Sequence, residues 1–382
     1  MFSGPSVQVL LSPLPMRYHR RGGLAVTTPN AAPQTSEPSF FSLTPDAVLD
    51  AVEAAGLDVE PVCFQLNSYE NRVYDIRLAS GEHVVAKFYR PGRWTAEQIL
   101  EEHALLSELE RAEVPVAPVM PFPDGTTVRR TSGSGIYYSV YKRIGGRAPE
   151  ELDYEMVERL GMLCARLHTV GAERPATHRL RLSAETFIRK NLDFLESSTL
   201  LPAHVAPHYL AAANTIAEHL DLGLRGVPVH RIHGDFHRGN LVLREGVLHA
   251  LDFDDLVTGP AVQDVWMLLP GRDAESRRLR EAFLEAYETF RPFDRAWLTL
   301  IEPLRGLRMV SYSAWIARRW HDPSFPALFP HFGTDAYWEE AAADLEDLVG
   351  VIGGAASTRA PEPEPESDDG PTNADYFWDL KD

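Results

Sequence analysis

The chain carries two polar blocks, separated by two short apolar runs, that decide how it is interpreted. The first block reads His233-Gly234-Asp235-Phe236-His237-Arg238-Gly239-Asn240, and the second, beginning twelve residues after Asn240, reads Asp252-Phe253-Asp254-Asp255. Between them stand Leu241-Val242-Leu243, a polar Arg244-Glu245-Gly246, and Val247-Leu248-His249-Ala250-Leu251. Two short apolar runs around a polar turn predict a tight β-hairpin. Such a hairpin would bring Asn240 and Asp252 to the same end of two strands.

A carboxylate, an amide five residues later and a second carboxylate after an apolar run form the residue set of phosphoryl transfer. Protein kinases use an Asp as catalytic base, an Asn five residues on as a Mg²⁺ ligand, and a further Asp at the other Mg²⁺ position. Asp235 and Asn240 reproduce that interval. The pattern predicts Asp235 and Asp252 as catalytic residues, and Asn240 and Asp252 as metal ligands, of an enzyme that uses ATP and Mg²⁺.

Two other interpretations of the first block remain open at this point. His233 and His237 are four residues apart, which is also the spacing of a helical zinc site. Gly234 and Gly239 disfavour a helix, and no third ligand follows at the interval that metallohydrolases use. The block could also be a polar turn between strands, with Asp and Asn in structural roles. Features elsewhere in the chain favour phosphoryl transfer over both.

The first of these features is a lysine inside an apolar strand pattern, Val84-Val85-Ala86-Lys87-Phe88-Tyr89. A buried Lys needs an anionic partner, although at a sheet edge its ammonium could reach solvent instead. The next helix begins at a capping-box pattern, Thr95-Ala96-Glu97-Gln98. At about 100° per residue Glu102 lies at the centre of that helix's apolar stripe, and Glu101 lies about 100° away. Glu102 is therefore the predicted partner of Lys87, with Glu101 as the alternative; such a pair orients ATP phosphates in kinases.

The second feature is a turn that could contact phosphates. No G-x-x-x-x-G-K-[ST] motif is present, which excludes the P-loop class, and Gly133-Ser134-Gly135 is typical of a hairpin turn. The turn between the first two predicted strands reads Asn67-Ser68-Tyr69-Glu70-Asn71-Arg72. Its backbone N–H groups, with the Ser68 hydroxyl, could bind phosphates without glycines. An Asn- and Ser-rich turn with no ligand is the structural alternative.

Asp264 is the third feature, within Gly259-Pro260-Ala261-Val262-Gln263-Asp264-Val265-Trp266. As an acid ahead of an apolar stretch, it could simply stabilise a helix N-terminus. The functional interpretation is that Asp264 anchors the loop that carries Asp235.

Composition limits the class of protein. The 382 residues are 44% hydrophobic and 24% charged, with a net charge of −18. This balance disfavours nucleic acid and anionic membranes as main partners. Only Cys63 and Cys164 are present and no stretch is long and apolar enough for a membrane span, so we expect a cytoplasmic enzyme without a disulfide framework. A monomer is expected.

The order of predicted elements gives the fold class. Predicted strands near 62–66, 72–78, 83–89, 126–130 and 136–143 form a five-stranded antiparallel sheet with one main helix after Thr95. Beyond residue 146 helical periods dominate. We therefore predict an α+β, bilobal, protein-kinase-like fold. Residues 40–145 would form a nucleotide-binding lobe, and residues 146–355 a helical lobe with the catalytic loop, metal site and acceptor site. Residues 1–39 would be a disordered extension or precede the true translation start, and residues 356–382 would be an acidic disordered tail.

With these residues collected, the chain resembles the bacterial stress response kinase A family of Ser/Thr protein kinases, part of the aminoglycoside phosphotransferase and choline kinase group. The resemblance covers about residues 40–350 and is most specific in Leu66–Tyr74, Val85–Pro91 and Gly259–Leu269. It implies Asp235 as base, Asn240 and Asp252 as Mg²⁺ ligands, and Ser68 at the ATP phosphates.

The resemblance implies a protein substrate with a Ser or Thr acceptor. A small-molecule kinase for homoserine, choline, a sugar or an aminoglycoside is the alternative, because such enzymes share every catalytic residue. The helical lobe has four aromatic residues that could form a cation-binding box or belong to the core: Tyr312, Trp315, Trp320 and Tyr337. A nucleotide-binding protein without catalysis is the third possibility, disfavoured by the intact base, metal ligands and Lys87.

Overall fold

A computed structural model describes residues 17–19, 40, 43–66, 68–149 and 152–354. The expectations for the acidic tail, and for all of residues 1–39 except Arg17–His19, lie outside the described residues. The chain divides into two compact units. One comprises the chain up to Glu110 together with Val116–Gly145, and the other comprises Arg111–Pro115 and the chain from Gly146 onward.

The first unit is built on an antiparallel sheet. The strands are β1 (Arg17–His19), β2 (Val59–Leu66), β3 (Arg72–Leu78), β4 (His83–Phe88), β5 (Val119–Met120), β6 (Arg129–Arg130) and β7 (Tyr137–Lys142). Their order in the sheet is β1-β2-β3-β4-β7-β5, with β6 also paired to β7. All five predicted strands are present. The predicted strand number is too low, because Arg17–His19 pairs with β2, although we expected it outside the fold, and Val119–Met120 pairs with β7. Strands of two or three residues are too short for an alternating pattern.

Two helices accompany the sheet, α1 (Pro45–Ala54) and α2 (Ala96–Arg111). The Thr44 hydroxyl caps α1 by accepting the Ala47 N–H at 3.2 Å. The predicted capping box of α2 is confirmed, because the Thr95 N–H donates to Gln98 Oε1 and the Gln98 N–H donates to Thr95 Oγ1. The core between α1 and the sheet contains Phe88 and Tyr138, whose rings stack with centroids 5.2 Å apart.

The second unit is mainly helical. Its helices are α3 (Tyr154–Glu173), α4 (Lys190–Ser197), α5 (Ala206–Gly223), α6 (Val262–Leu268), α7 (Ala274–Tyr287), α8 (Ile301–Arg319), α9 (Ser324–Leu328) and α10 (Asp335–Ile352). A π-helical turn, Glu185–Arg189, precedes α4. Helices dominate this unit, as predicted for the chain beyond residue 146. Helices α4, α6 and α9 are too short for a clear helical period. No helix within the described ranges combines the length and apolarity that crossing a bilayer requires.

Four short strands in this unit fix the segment from residue 230 to 259: β8 (His230–Ile232), β9 (Leu241–Arg244), β10 (Val247–Ala250) and β11 (Val257–Gly259). The predicted hairpin is β9–β10, and its turn residues Glu245 and Gly246 both have positive φ, at 51° and 80°. This is the geometry of a tight two-residue hairpin turn. Ile232 pairs with Val257 on β8–β11. The loop before β9 and the loop after β10 therefore lie side by side, because the β8–β11 pairing joins one end of the two loops and the β9–β10 pairing joins the other.

Candidate active site

The loop that carries Asp235 begins with a glycine that no other residue could replace without rearrangement. Gly234 has φ +85°, and a Cβ there would lie 2.2 Å from the Asp255 carbonyl oxygen. An L-residue would meet both the left-handed backbone penalty and this clash. Gly234 thus lets the loop of Asp235 pass directly against the loop of Asp252.

Asp264 anchors this loop, as one of the two interpretations predicted. Its Oδ2 accepts the His233 N–H and its Oδ1 accepts the Gly234 N–H, both at 2.9 Å. Its Oδ2 also lies 3.0 Å from His168 Nε2 on α3. Asp264 is fully buried in the first turn of α6. A buried carboxylate with these donors fixes the backbone immediately before Asp235.

His233 connects the two loops rather than binding a metal. Its Nε2 lies 2.8 Å from the Leu251 carbonyl oxygen, and its Nδ1 accepts the Asp235 N–H at 3.3 Å. One neutral tautomer, with the proton on Nε2, satisfies both contacts. His233 therefore links the backbone of Asp235 to the residue that precedes Asp252.

The Asp235 carboxylate lies among three nitrogen-bearing side chains. Asn240 Nδ2 donates to the Asp235 carbonyl oxygen at 2.9 Å and to Oδ2 at 3.3 Å. His237 Nε2 lies 3.2 Å from Oδ2, and Arg308 Nη2 on α8 lies 2.9 Å from Oδ1. Burial favours the protonated acid, but the charge of Arg308 and the contact with His237 outweigh it and keep the pKa of Asp235 well below its ordinary value. Asp235 is accordingly a carboxylate at neutral pH.

The two oxygens of Asp235 differ in their hydrogen bonding. Oδ2 accepts from Asn240, whereas Oδ1 is buried and accepts no hydrogen bond from any residue in the described part of the chain. Arg308 approaches Oδ1 as an ion contact, without the N–H direction of a hydrogen bond. A buried carboxylate oxygen without a donor is an acceptor that a ligand hydroxyl can satisfy.

Asn240 and Asp252 are brought together by the hairpin, as predicted. The Leu251 N–H donates to the Asn240 carbonyl oxygen at 2.8 Å, which places Asp252 one residue beyond the pairing. Asp252 is exposed and has left-handed backbone angles, φ 54° and ψ 71°. Such a conformation is uncommon for a residue other than glycine and is often found at functional sites. Of the two following acids, Asp254 is buried and Asp255 is exposed.

In the first unit the predicted partner of Lys87 is found. Lys87 Nζ lies 3.7 Å from Glu102 Oε1, with both side chains buried, so Glu102 takes this place rather than Glu101. The Tyr141 hydroxyl donates to the same Glu102 oxygen at 3.1 Å. Lys87 Nζ also lies 5.2 Å from the centroid of the Tyr89 ring. This arrangement is a buried ion pair enclosed by aromatic side chains.

His103 extends the buried cluster around the Lys87–Glu102 ion pair. Tyr89 and Tyr141 share a hydroxyl–hydroxyl contact of 2.6 Å, and both hydroxyls lie within 3.2 Å of His103 Nε2. His103 follows Glu102 on α2, and its Nδ1 lies 2.8 Å from Thr127 Oγ1. Sequence reasoning missed Tyr141 and His103, because their contact depends on the packing of α2 against β7.

Ser68 lies in the turn between β2 and β3, where the sequence predicted it. Its hydroxyl oxygen accepts the Asn71 N–H at 3.2 Å, which closes the turn. Arg90 donates to the carbonyl oxygens of Glu70 and Tyr69 and forms an ion pair with the Glu70 side chain at 3.3 Å. The turn is thus fixed by side chains from its own unit. The Ser68 hydroxyl proton is not used in that contact.

The structure also bears on three other interpretations of the sequence: a zinc site, an aromatic box and the turn at Gly133 and Gly135. Among the described His, Cys, Asp and Glu side chains, the one group close enough together to hold a metal is Cys164, His168 and Asp264, which does not include His233 or His237. The four aromatic residues do not all contact one another, although Tyr312 and Tyr337 line the same small cavity. Tyr312 and Trp315 stack on each other beside Phe329, whereas Trp320 and Tyr337 each contact Phe332. Gly133 and Gly135 have positive φ in the turn between β6 and β7, as predicted.

Comparison with known proteins identifies the class. The model of the phosphotransferase enzyme family matches residues 64–301, which include parts of both units and the predicted catalytic, nucleotide-binding and metal-binding residues. The chain belongs to this phosphotransferase enzyme family.

Two relatives show which group within this family the chain resembles. The chain is 40% identical over 315 residues to Stress response kinase A of Escherichia coli strain K12, which covers 82% of this chain and 95% of that protein. Over the same shares it is 39% identical to a protein of Salmonella typhimurium strain LT2 named Serine/threonine protein kinase RdoA. These identities confirm the resemblance to the stress response kinase A family.

Solved structures confirm the predicted α+β, kinase-like fold. A microcompartment-associated aminopropanol kinase matches with a TM-score of 0.63 at 19% identity, covering 80% of this chain and 98% of that chain. Amicoumacin kinase hAmiN, in complex with AMP-PNP, Ca²⁺ and Ami, matches with a TM-score of 0.62 at 20% identity, covering 78% and 93%. At these identities the similarity shows the fold alone.

Proposed function

We propose that this phosphotransferase is an ATP- and Mg²⁺-dependent serine/threonine protein kinase of the bacterial stress response, active in the cytoplasm. The observation that carries the proposal is Asp235, an ionised carboxylate whose backbone is anchored by Asp264 and whose Oδ1 is buried without a hydrogen-bond donor. A base for an alcohol acceptor needs such an oxygen, because it must accept the hydroxyl proton as the oxygen attacks phosphorus.

Asn240 and Asp252 fit the proposed metal. Amide and carboxylate oxygens are the ligands that Mg²⁺ prefers. Because Asn240 uses its Nδ2 to bond Asp235, its Oδ1 is the atom left for a metal. The hairpin pairing next to Asp252 brings the carboxylate to the same end of the strands. Bound Mg²⁺ would neutralise charge on the phosphates.

The proposed nucleotide site consists of Lys87 and Ser68, which contact the phosphates, and Glu102, which orients Lys87. The buried ion pair with Glu102 fixes the direction of the Lys87 ammonium, which would bind a phosphate as a positive charge. The Ser68 hydroxyl can donate a hydrogen bond to a phosphate oxygen while its oxygen still closes the turn. Glu102 acts through Lys87 and does not contact the nucleotide in this proposal.

A protein acceptor is supported by sequence similarity. The Salmonella typhimurium relative, 39% identical over most of its length, is named a serine/threonine protein kinase. We expect no nucleic acid or membrane partner, and a monomer.

The test is transfer of γ-phosphate from radiolabelled ATP by the full-length chain. One reaction contains a mixture of bacterial proteins, and a parallel one contains homoserine, choline, sugars and aminoglycosides. Mg²⁺-dependent labelling of Ser or Thr in proteins supports the proposal, provided that Asp235→Asn abolishes it. Labelling confined to a metabolite would replace the protein kinase with the small-molecule kinase.

A further inference from the structure

Arg308 contacts the Asp235 oxygen that the proposed function assigns to the acceptor hydroxyl. Its Nη2 lies 2.9 Å from Asp235 Oδ1, and that oxygen has no exposed surface although the Asp235 side chain as a whole is 17% exposed. A hydroxyl can therefore donate to Oδ1 only if the guanidinium moves away. The opposite oxygen, Oδ2, keeps its bond from Asn240. The replaceable contact of Asp235 is the one with Arg308.

The contact of Arg308 is suited to exchange. The Arg308 side chain is 29% exposed, and among the described residues its one acidic partner is Asp235. Its Nε, although buried, donates no hydrogen bond within the described chain. Arg305, one turn earlier on α8, contrasts with it, since Arg305 bonds both Glu302 and the Pro270 carbonyl oxygen. Arg305 therefore uses its guanidinium to bond residues of its own unit, whereas Arg308 still has N–H groups that can bind a ligand.

Displacement of Arg308 has an electrostatic consequence. When the acceptor hydroxyl takes its place at Oδ1, the guanidinium loses its counter-charge beside a partly buried site. A guanidinium in such surroundings binds carboxylate or phosphate groups through paired, charge-assisted hydrogen bonds. An acceptor with an anionic group beside its hydroxyl supplies that counter-charge, and a neutral acceptor does not.

We propose that Arg308 selects acceptors in which the reacting hydroxyl is flanked by an acidic group. For the protein kinase proposed above, on which this inference rests, the substrate class is Ser or Thr next to Glu, Asp or a phosphorylated residue. Arg308 acts as a specificity determinant: it covers the base until an anionic group draws it away.

The test compares synthetic Ser peptides that differ at the flanking positions, with Glu, Gln or Lys there, as substrates of the full-length protein with ATP and Mg²⁺. A charge-assisted hydrogen bond that only the acidic peptide can form should raise its kcat/KM over the Gln peptide at least about tenfold. In Arg308→Gln we expect this preference to fall to about twofold or less, because the charge that distinguishes the peptides is gone. The Gln peptide should react several-fold faster than with wild type, since Oδ1 is no longer covered.

The matched control is Arg305→Gln, which removes the same charge from the same helix but leaves Arg308 in place. It should keep the acidic preference, and Arg308→Lys should keep part of it. Equal kcat/KM of the wild type for all peptides would overturn the inference while leaving the protein kinase intact. A uniform loss of kcat in Arg308→Gln, with the preference unchanged, would also overturn it. If the wild type labels no peptide at all, the proposed function itself fails.

Discussion

His168 Nε2 lies 3.0 Å from Asp264 Oδ2, and neither side chain has any exposure to solvent. With its proton on Nε2, His168 donates to Asp264 and accepts at Nδ1 the hydroxyl proton of Tyr287, 2.9 Å away. The same carboxylate accepts the N–H groups of His233 and Gly234. The loop of the catalytic base is therefore hydrogen-bonded, through one buried acid, to helices α3 and α7.

Replacing Asp264 should destabilise the protein and impair transfer together. Asp264→Ala leaves three buried donors without an acceptor, and we expect a loss of about 3–5 kcal/mol in the free energy of unfolding. Asp264→Asn keeps one acceptor oxygen and should lose less. Urea unfolding followed by circular dichroism gives the stability, and kcat is measured on the same preparations. Unchanged unfolding midpoints in both variants would show that these bonds do not hold the loop.

Removing the Tyr141 hydroxyl should affect catalysis more than folding. Tyr141→Phe deletes a donor to the charged Glu102 carboxylate, so Lys87 is less well oriented and kcat/KM for ATP should fall about tenfold. Tyr138→Phe is the matched control. It lies on the same strand, and its buried hydroxyl donates at 2.7 Å to the neutral Ala51 carbonyl oxygen.

The control should lose stability by a similar amount while its kcat/KM for ATP remains near that of wild type. A steady-state ATP titration and a thermal unfolding scan on each variant separate the two effects. If both tyrosine variants lose the same fraction of kcat/KM, the Tyr141 hydroxyl has no particular role in orienting the ion pair.

His230 should make the fold sensitive to acid. Burial, with the neighbouring His168 and the charge of Arg291, lowers the pKa of His230 to about 2. The unfolded chain binds a proton near its ordinary pKa, about 6.5, while the folded chain does not, so stability is lost as pH falls below that value. At pH 5 the loss from this group is about 2 kcal/mol relative to pH 8.

His230→Leu should remove that part of the pH dependence. Neither ring nitrogen of His230 has a hydrogen-bond partner among the described residues, so leucine breaks no bond there. Urea unfolding of both proteins at pH 8 and pH 5 gives the comparison. The difference between the two pH values should shrink in the variant; an identical difference would mean that His230 is protonated in the folded protein.

Asp252→Asn should lose the effect of Mg²⁺ on nucleotide binding. Asparagine tolerates the left-handed backbone of this position, so the variant tests the charge rather than the conformation. We expect the gain in ATP affinity on adding Mg²⁺ to fall at least about tenfold. Asp255→Asn, an exposed neighbour on the same loop, is the control and should keep the gain. The reverse result would transfer the ligand role to Asp255.

Local sequence signals predicted the parts of the site that local structure builds. The hairpin followed from two apolar runs around Glu245-Gly246, and it brought Asn240 next to Asp252 as expected. Glu102 could be distinguished from Glu101 because helical periodicity places one of them on the buried face. In both cases the information lies within about one element of the residue concerned.

Contacts between distant elements could not be predicted in this way. Arg308 lies 73 positions after Asp235, and α8 carries three other arginines: Arg305, Arg318 and Arg319. Which of them reaches the base depends on how α8 packs within its unit. His168 likewise stands as the one histidine on the otherwise apolar buried face of α3. The two-residue strand β5 is defined by its pairing with β7 and not by its composition.

The activity of Asp235→Asn tests the proposed catalytic base most directly. The amide has the shape of the carboxylate but cannot accept the acceptor's proton, and general-base assistance contributes about 10²–10⁴ in rate. Single-turnover transfer from radiolabelled ATP, on protein shown to be folded and to bind ATP as the wild type does, measures that step. We predict a loss of at least about a hundredfold. Retention of more than about a tenth of the wild-type rate would contradict the assignment of Asp235 as the base.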